Sequence, residues 1–467
     1  MTKDTIAAIS TPTGVGAIGI VRLSGSACRD ILKKVWINPN HPVDKFETHR
    51  LYYGMLSTPQ DGVKQVKQDG VKSIDNVLAV WMQEPRSYTG EDIVEIHCHG
   101  GSVATKSILE AVLNSGARPA LPGEFTRRAF LNGRLDLAQA EAVAEVINAT
   151  SERALRLANE QLNGRLSGEI NNAQGKLKEL IVSIEAAIDF PEEDIEIIKN
   201  EQIENGLKNI LERLSSLSMT YHEGKMIHDG VRVIIVGKPN VGKSSILNAL
   251  VGSDRAIVHH SPGTTRDIIE EDVEIDGMKF RLIDTAGIRN STCEIEQMGI
   301  KRARMRLSEA DCALVVLDAS NFADEEDKAI ICETKNLKRI FILNKIDLCP
   351  TAETDSIFKS RAETNIKTSA KTGLGLDELK KALSSAAVAN SSSVGEGVII
   401  TNLRHKQALD EAAGAINNGI AAIAKKESPE FIAVHIKLAM TNLGKITGEV
   451  TSEDVLNEIF DKFCIGK

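Results

Sequence analysis

Cysteine pairs, membrane-length apolar runs and a signal peptide are all missing from this sequence of 467 residues. The 7 cysteines are scattered and form no Cys-x-x-Cys pair, so neither a zinc knuckle nor a disulfide framework is predicted. Reduced thiols in a cytosolic compartment fit best. No apolar run approaches the ~18 residues of a membrane span, and the N-terminus lacks the apolar core of a signal peptide. We therefore expect a cytoplasmic protein with no membrane span.

Aromatic residues and positive charge are also scarce. Aromatic residues make up 4% of the chain and hydrophobic residues 42%, so we expect cores built mainly of aliphatic side chains. The formal net charge is -9, whereas proteins whose main task is gripping nucleic acid are usually basic. Any contact with nucleic acid is therefore local or made through a partner. A basic cluster at residues 301–306 either touches RNA or forms a solvated helical face.

The most informative stretch that is present is Gly237–Ser244, which reads GKPNVGKS. It lies between an apolar strand pattern at residues 231–236 and a helical pattern at residues 245–250. A glycine-rich turn in this setting directs backbone N–H groups at one point, and the helix N-terminus adds partial positive charge. Lys243 adds a full charge, and Ser244 is placed to ligate Mg²⁺. The pattern predicts a phosphate-binding loop; the alternative is a glycine-rich surface turn.

Two downstream segments fit the phosphate side of a GTPase site. The segment 262–267 reads PGTTRD and supplies Thr265, which completes the Mg²⁺ shell when a γ-phosphate is present. The segment DTAG follows a strand pattern, and its first residue, Asp284, is a Walker-B-type carboxylate. The backbone N–H of Gly287 is expected to meet the γ-phosphate. The order of these segments predicts a nucleoside triphosphate with its metal ion.

Two further segments predict that the base is guanine. Asn344 begins the segment NKID after another strand pattern, and the carboxylate of Asp347 accepts both N–H groups of guanine's Watson–Crick edge. Adenine would leave that carboxylate unpaired. Sites of this kind discriminate against such a base by a factor of about 10⁴–10⁵. The segment Ser369–Lys371 is expected to close over the base. The predicted GTP-binding residues are Asn240, Val241, Gly242, Lys243, Ser244, Ser245, Thr264, Thr265, Asp284, Thr285, Ala286, Gly287, Asn344, Lys345, Asp347, Ser369, Ala370 and Lys371.

The block resembles the G domain of translation-factor-type GTPases, and most closely the subgroup that includes Era, Der and MnmE. Ras-like enzymes place a water-orienting Gln after the DxxG segment, but Ile288 stands here and cannot hydrogen-bond water. The resemblance implies that a K⁺ ion supplies the stabilisation lost with that Gln. The ion would lie at a face-to-face contact between two such domains. The implied K⁺ ligands are Asn240, His259, Ser261 and Thr264. The implied Mg²⁺ ligands are Ser244 and Thr265.

The same resemblance places a water-orienting Glu downstream of the DTAG segment, and counting along the matching stretch puts it at Glu296. The alternative for Glu296 is a solvated carboxylate at the start of a helix. The implied catalytic residues are Glu296, Lys243 and Thr265. His259 and His260 stand where the family often has Thr and Asp, so backbone carbonyls are expected to chelate the ion there.

The remaining patterns predict a multidomain α/β and all-α chain. Residues 1–132 mix short strand patterns, at 5–9, 19–23 and 76–81, with turns, and form an α+β N-terminal domain. Helical periodicity marks residues 133–228 and 389–467. Strands and helices alternate between them, over residues 229–388, which predicts an inserted Ras-like P-loop G domain with a mostly parallel sheet. We expect the two flanking helical stretches to pack together as one helical domain.

Two patterns in the N-terminal domain admit more than one interpretation. Gly14–Gly19 spells GxGxxG, but a strand pattern continues after it, so a dinucleotide site is not predicted. Glu95, His97 and His99 share one face of a strand. That face is a metal site, a plain half-exposed strand or the polar wall of a small-molecule pocket.

Along nearly its whole length the chain resembles the MnmE (TrmE) family of tRNA-modification GTPases. The matching motifs include GAIGIVRLSG from Gly16, YTGED from Tyr88, PGEFTRRAFLN from Pro122, LDLAQAEA from Leu135 and the final FCIGK from Phe463. The resemblance implies an N-terminal domain that dimerises and binds a tetrahydrofolate. The implied folate contacts are Arg22, Glu95, Arg134 and Lys467. Cys464 is either an active-site thiol or an inert one.

The resemblance also implies cofactors and partners. GTP, Mg²⁺, K⁺ and a 5-formyl- or 5,10-methylene-tetrahydrofolate are the expected small molecules. A homodimer is expected to act with MnmG, a flavoprotein that carries FAD and uses NADH, at C5 of the wobble uridine of certain tRNAs. One rival is a ribosome-assembly GTPase of the Era or Der kind, but no KH-type GxxG loop follows residue 390. A non-catalytic sensor is the other, and intact Lys243, Ser244, Thr265 and Asp284 argue against it.

Overall fold

The computed structural model describes most of the chain. The described residues are 4–12, 14–58, 73–189, 200–253, 270–284, 309–321, 324–349, 364–388 and 397–467. They divide into two compact units. The first unit contains Met1–Ile147, Glu160–Glu179 and Met440–Lys467, and the second contains Asn148–Asn159 and Leu180–Ala439. The domain boundaries given above stay predictions.

A seven-stranded sheet forms the centre of the first unit. Its strands are β1 (Ile6–Ile9), β2 (Ile18–Ser24), β3 (Trp36–Ile37), β4 (Leu51–Ser57), β5 (Ser73–Met82), β6 (Ile93–His99) and β7 (Arg118–Pro119). Their order is β3-β4-β5-β6-β2-β1-β7, and the pairs are antiparallel except for β1 with β7. The three strands predicted from sequence correspond to β1, β2 and β5, so those predictions are confirmed.

One face of this sheet is covered by helices α1 (Cys28–Val35) and α2 (Ser102–Asn114). Strands β2 and β6 alternate buried and more exposed positions, which is the period of two expected when one face meets a core. Ile96 lies on the covered face and is fully buried, whereas Glu95 and His97 lie on the other face. The predicted shared face of the polar residues of β6 is therefore confirmed.

The last glycine of the GxGxxG motif, Gly19, serves close packing. Gly19 lies inside β2, and a Cβ added there would lie 2.3 Å from Cγ2 of Thr105 on α2. The Gly100 position is equally tight, since a Cβ there would lie 2.5 Å from the carbonyl oxygen of Gly16. The motif runs into a strand and not into a helix, as the sequence indicated.

Further helices follow the sheet in the chain. They are a short α3 (Glu124–Leu131), then α4 (Leu137–Asn148), α5 (Glu152–Leu162), α6 (Arg165–Asp189), α7 (Asn200–Met219) and α8 (Tyr221–Asp229). Helix α7 shows why this stretch is helical, because its buried residues recur every three or four positions along one face. These residues are Ile203, Leu207, Ile210, Leu214 and Leu217.

The second unit contains a six-stranded sheet in the order β13-β12-β11-β8-β10-β9. Its elements are β8 (Val231–Val236), α9 (Lys243–Ser253), β9 (Glu270–Ile275), β10 (Met278–Asp284), β11 (Cys312–Asp318), α10 (Glu325–Glu333), β12 (Lys338–Asn344), β13 (Thr364–Lys367) and α11 (Leu376–Val388). All neighbouring strands run parallel except β9 with β10. The predicted mostly parallel sheet is confirmed. Its parallel strands end along one edge, where the predicted nucleotide segments begin.

The chain closes with helices α12 (Leu403–Ala424), α13 (Pro429–Thr447) and α14 (Glu453–Phe460). Helix α12 packs against α7, and Ser218 donates a hydrogen bond to Asp410 (2.5 Å between Oγ and Oδ1). This contact confirms that the helical stretches on either side of the α/β block pack together. None of the helices within the described ranges combines the length and the hydropathy that a membrane span requires. The predicted fold class is thus confirmed.

The C-terminal segment lies against the N-terminal sheet within the first unit. Ile465 forms an antiparallel bridge with Pro122, and the backbone N–H of Phe125 donates to the carbonyl oxygen of Lys467 (3.2 Å). Gly466 has a φ of 98°, and a Cβ there would lie 2.3 Å from the carbonyl oxygen of Ile9, so a larger residue does not fit. Folding therefore brings the two ends of the sequence together.

Candidate functional site

The predicted phosphate loop is a tight turn between β8 and α9. The ammonium of Lys243 donates hydrogen bonds to the carbonyl oxygens of Gly237 (3.0 Å) and Lys238 (2.7 Å), so the side chain lies along the inside of the loop. Asn240 has a φ of 65° and Gly242 a φ of 99°. Asparagine adopts the left-handed region more readily than most other non-glycine residues, so it suits this position of the turn.

The space beside Gly242 is filled by the side chain of Asn344. A Cβ added at Gly242 would lie 2.2 Å from Nδ2 of Asn344. The amide of Asn344 is buried, donates to the carbonyl oxygen of Val241 (2.9 Å) and accepts from the backbone N–H of Ala370 (3.1 Å). The hydroxyl of Thr368 completes its partners at 3.3 Å. One side chain therefore joins the phosphate loop to both predicted base-binding segments.

Asp347 is the residue predicted to read guanine. Its side chain is exposed, and Oδ1 accepts a hydrogen bond from the hydroxyl of Ser369 (2.7 Å). The backbone N–H of Ser369 donates to the carbonyl oxygen of Leu374, which closes the turn that carries this residue. The geometry leaves the carboxylate accessible to a base and held by a neighbour from the second loop. Lys371, on the same turn, is also exposed.

Lys345 has a partner that the sequence did not predict. Its ammonium pairs with Asp318 at the end of β11 (2.6 Å between Nζ and Oδ2), and its φ is 65°. Burial acts to raise the pKa of Asp318, but the hydrogen bonds from Lys345 and Ser320 outweigh it and lower that pKa. The pair holds the NKID segment in place through the neighbouring strand.

The other predicted residues of the nucleotide site divide into described and undescribed ones. Ser244 and Ser245 are exposed in the first turn of α9. Asp284 is the last residue of β10 and stands opposite Ile235 of β8, and its side chain is not described. The remaining predictions fall outside the described residues, namely His259, His260, Ser261, Thr264, Thr265, Thr285, Ala286, Gly287, Ile288 and Glu296.

A second cluster of predicted residues lies on the face of the N-terminal sheet opposite helices α1 and α2. Arg22 on β2 stands opposite Glu95 on β6, and their side chains pair at 2.8 Å. His97 approaches the other oxygen of Glu95 at 3.4 Å. The guanidinium of Arg22 also lies over the rings of Tyr88 (5.7 Å to the centroid) and Phe125 (5.8 Å). Both rings were missed by the sequence analysis because cation–π geometry leaves no periodic signal.

Lys467, in the C-terminal segment, lies near this ion pair, since Arg22 and Glu95 both influence its charge. Burial lowers the pKa of Lys467, and the charge of Arg22 lowers it further, while Glu95 and Cys464 act in the opposite direction. The structure therefore brings together three of the four predicted folate-binding residues, with the exposed thiol of Cys464 nearby. The cluster offers both a carboxylate and cationic groups to a ligand.

Arg134 lies against Gly90. A Cβ added at Gly90, whose φ is 79°, would lie 3.2 Å from Cγ of Arg134 and from Cβ of Asn132. Asn132 donates to the carbonyl oxygen of Thr89 (2.8 Å), which holds the two segments together. Arg134 itself is exposed, and it stays a predicted ligand contact.

A buried ionic network supports the cluster from below. Arg128 on α3 is nearly buried and pairs with Asp4 (2.9 Å), Glu91 (3.1 Å) and Glu124 (3.0 Å). Glu91 in turn accepts a hydrogen bond from Ser24 at the end of β2 (2.8 Å). Because buried charges are tolerated only when they are paired, these groups fix one another. The network explains why the motifs YTGED and GEFTRR lie side by side.

The three polar residues of β6 do not form one cluster: two of them contact each other, and the third contacts a residue of β5. His97 contacts Glu95, whereas His99 turns to Asp75 on β5 (2.7 Å between Nδ1 and Oδ1). Within the described ranges, no group of three or more His, Cys, Asp or Glu residues is arranged to hold a metal ion. The three side chains therefore do not converge on one point, and the pocket-wall and half-exposed-strand interpretations both stay open.

Comparisons with known proteins match the chain from end to end. The model of the MnmE helical domain matches residues 137–464, and that of the GTP-binding protein TrmE N-terminus matches residues 5–134. The tRNA modification GTPase MnmE of Acetivibrio thermocellus is 42% identical over 468 residues, which cover 100% of this chain and 99% of that protein. Its counterpart in Natranaerobius thermophilus is 40% identical over 468 residues, with 100% of both chains covered.

A solved structure also matches part of the chain. The G domain of the FeoB iron transporter of T. maritima is 30% identical and covers 34% of this chain and 98% of its own, with a TM-score of 0.28. The family models and the full-length relatives carry the assignment without it. The chain belongs to the MnmE family of tRNA modification GTPases.

Proposed function

We propose that this chain hydrolyses GTP and uses a one-carbon tetrahydrofolate, together with an FAD-containing partner similar to MnmG, to modify C5 of the wobble uridine of certain tRNAs. The observation that carries the proposal is that Asn344 hydrogen-bonds both the phosphate loop and Ala370, next to the pair of Asp347 with Ser369, in a chain of this family. Family membership supports GTP hydrolysis directly.

The phosphate loop supplies charge and orientation to the triphosphate. Lys243 and the N-terminus of α9 offer positive charge to phosphate oxygens, and the exposed Ser244 offers a hydroxyl for Mg²⁺. We assign Thr265 to the same metal ion. Asp347 accepts from the guanine edge, and the buried amide of Asn344 keeps that segment in register with the loop.

Glu296 and a K⁺ ion are our proposed substitutes for the Gln that Ile288 replaces. K⁺ supplies positive charge to the developing negative charge on the phosphate oxygens when it is bound. Asn240 is exposed at the turn of the loop and has the oxygen ligand that K⁺ prefers. His259, Ser261 and Thr264 are the other proposed ligands.

The cluster on the N-terminal sheet fits a folate by the chemistry of its groups. Glu95 is a carboxylate that accepts from amino-pyrimidine donors, and Lys467, with Arg134, is a cation for the folate carboxylates. Tetrahydrofolate supplies the one-carbon unit when it is bound. Arg22 fixes the Glu95 carboxylate in one orientation, since it pairs with Oε1 and leaves Oε2 to face His97. We propose Cys464 as a thiol of the same pocket.

The partners follow from the same proposal. The N-terminal domains form a homodimer in the cytoplasm, the flavoprotein brings FAD and NADH, and tRNA is bound in part by that partner. The net charge of -9 supports a division of the RNA-binding work between the two proteins.

GTP turnover by the full chain in KCl and in NaCl tests the GTPase part. We expect hydrolysis of GTP and not of ATP, with a higher rate in KCl. Equal rates in both salts would remove the K⁺ assignment, and nucleotide binding without turnover in either salt would favour a sensor. Binding of 5-formyltetrahydrofolate to the wild type and to Glu95→Gln tests the folate assignment separately, with His99→Gln as a control on the same strand.

A further inference from the structure

The second residue of the phosphate loop, Lys238, makes contacts that the nucleotide chemistry described above does not use. Its side chain is largely buried, and its ammonium pairs with Asp324 (2.7 Å) and Asp327 (2.8 Å). It also donates to the carbonyl oxygen of Asn321 at 3.4 Å. All of these partners belong to the connection between β11 and α10 or to the start of α10. One charged side chain therefore ties the phosphate loop to a neighbouring element of the same unit.

The sheet topology explains why these groups meet. Strands β8 and β11 are parallel neighbours, with Val236 opposite Val315, so the segments that follow them leave the same edge. The loop lies tightly on the neighbouring strand, because a Cβ at Gly237 would lie 2.4 Å from the carbonyl oxygen of Val316. Lys238 then extends this contact from the backbone of β11 to the N-terminus of α10.

The two carboxylates are themselves fixed. Oδ1 of Asp324 caps α10 by accepting from the backbone N–H of Asp327 (3.0 Å), which leaves Oδ2 for Lys238. The side chain of Asp327 is 1% exposed. A carboxylate near a helix N-terminus is stabilised by the helix dipole, and a buried one needs a cationic partner. Lys238 is thus held by an anchor with little freedom to move.

The backbone of Lys238 contacts the nucleotide site through Lys243. Its carbonyl oxygen accepts the shorter of the two hydrogen bonds from Lys243. Two residues further on, the loop turns at Asn240, whose φ is 65°. Fixing Lys238 therefore fixes both the carbonyl that orients Lys243 and the start of this turn.

We infer that Lys238 is a positioning residue for nucleotide binding, which keeps the phosphate loop preformed through its ion pairs with Asp324 and Asp327. The inference rests on the proposed GTPase site and adds a residue to it. Once a triphosphate is bound, its own contacts order the loop, so the anchor acts on binding and not on the chemical step.

The test measures binding of N-methylanthraniloyl-GDP and GTP turnover in the full chain and its variants. We expect Lys238→Met and Asp327→Asn each to weaken the Kd about tenfold, which corresponds to about 1.4 kcal/mol. The KM for GTP should rise by a similar factor while kcat stays within about twofold. Lys238→Arg should restore binding. The double variant Lys238→Met/Asp327→Asn should bind no more weakly than the weaker-binding of the two single variants, because both substitutions remove the same interaction.

Lys279→Met is the matched control. Lys279 on β10 is also buried and pairs with a half-exposed aspartate, Asp272, at 2.7 Å, in the same unit. Its loss should leave the Kd unchanged. An equal loss of binding in Lys279→Met would overturn the inference, since any broken ion pair would then suffice.

Further outcomes separate the alternatives. If Asp324→Asn and Asp327→Asn both bind as the wild type does while Lys238→Met binds weakly, Lys238 contacts phosphate directly and the anchor is wrong. If Lys238→Met and Asp327→Asn do not fold, Asp324→Asn at the half-exposed position decides the question. Weakened binding in Asp324→Asn would support the inference, and unchanged binding would contradict it. A wild type that binds no labelled GDP would refute the proposed function itself, whereas a wild type and Lys238→Met that bind equally would refute only this inference.

Discussion

The side-chain amide of Asn344, at the end of β12, donates a hydrogen bond to the backbone carbonyl of Val241 in the phosphate loop at 2.9 Å. Its Oδ1 accepts from the backbone N–H of Ala370, so a single buried residue connects the loops for phosphate and base. The nucleotide site is therefore built as one connected unit, and a change at Asn344 should be felt by both halves.

The substitution Asn344→Ala removes this connection. The carbonyl of Val241 and the N–H of Ala370 lose a buried partner, which costs about 1–3 kcal/mol. We expect a lower free energy of unfolding for the second unit in urea and a weaker Kd for GDP. Asn248→Ala, on the exposed side of α9, is the control and should change stability by less than about 0.5 kcal/mol. Equal losses in both variants would contradict a specific connecting role.

Asp347→Asn should change the base that the site accepts. An amide offers an N–H donor where the carboxylate offered an acceptor, so it pairs with the 2-oxo group of xanthine and not with the 2-amino group of guanine. We expect GTP turnover to fall on the order of 10²-fold or more, with XTP becoming a substrate. Asp377→Asn, an exposed aspartate in the first turn of α11, should keep the wild-type preference. Retained preference for GTP in Asp347→Asn would refute the assignment.

Folate affinity should decrease at alkaline pH through Lys467. Burial and the charge of Arg22 lower the pKa of Lys467 in the free protein, and a bound carboxylate would raise it again. Binding therefore favours the protonated amine. The affinity is constant below the lowered pKa and falls as the pH rises through it. Titration calorimetry over this range should show the fall in the wild type and not in Lys467→Met.

The nearby thiol of Cys464 needs its own control. Cys464→Ser should keep the pH dependence if Lys467 is responsible. Lys462→Met, which breaks only an exposed pair with Glu458, should keep it as well. A pH profile that is flat in the wild type, or identical in Lys467→Met, would contradict the role of Lys467.

Arg128→Met should destabilise the first unit strongly. It removes the buried cation that Asp4, Glu91 and Glu124 share, while Arg118 still pairs with Asp4 and Glu124. We therefore expect a cost of about 3 kcal/mol, the low end of the range for breaking a buried ion pair. The neighbouring Arg127 pairs with the exposed Glu453, and Arg127→Met should cost less than about 1 kcal/mol. Urea unfolding followed by tryptophan fluorescence measures both, since Trp36 and Trp81 lie in this unit. Similar midpoints for the two variants would mean that the network contributes little.

The nucleotide site could be predicted from sequence to the extent that its parts are local. The phosphate loop, and the segment from Asn344, each follow an apolar strand, and parallel strands bring such segments to one edge. The pair Lys345–Asp318 was not predictable in the same way. Which acidic residue meets a given lysine depends on the order of the strands in space, and a single sequence carries no periodic signal for it.

The folate cluster shows the same limit over a longer distance in the chain. Family resemblance named Arg22, Glu95 and Lys467, and the structure brings them together because Gly466 allows the C-terminal segment to lie against β1. The rings below Arg22 and the network around Arg128 became visible only in three dimensions. Their residues have ordinary spacing in the sequence, so pattern alone could not connect them.

The central claim is that GTP hydrolysis and folate binding in this chain serve the modification of tRNA. Its most direct test is mass spectrometry of wobble nucleosides from cells that lack this chain, complemented with the wild type, Glu95→Gln or Asp347→Asn. We predict that the aminomethyl-type group at C5 is absent from the deletion strain, restored by the wild type and strongly reduced with either variant. A deletion strain with unchanged wobble nucleosides would contradict the claim.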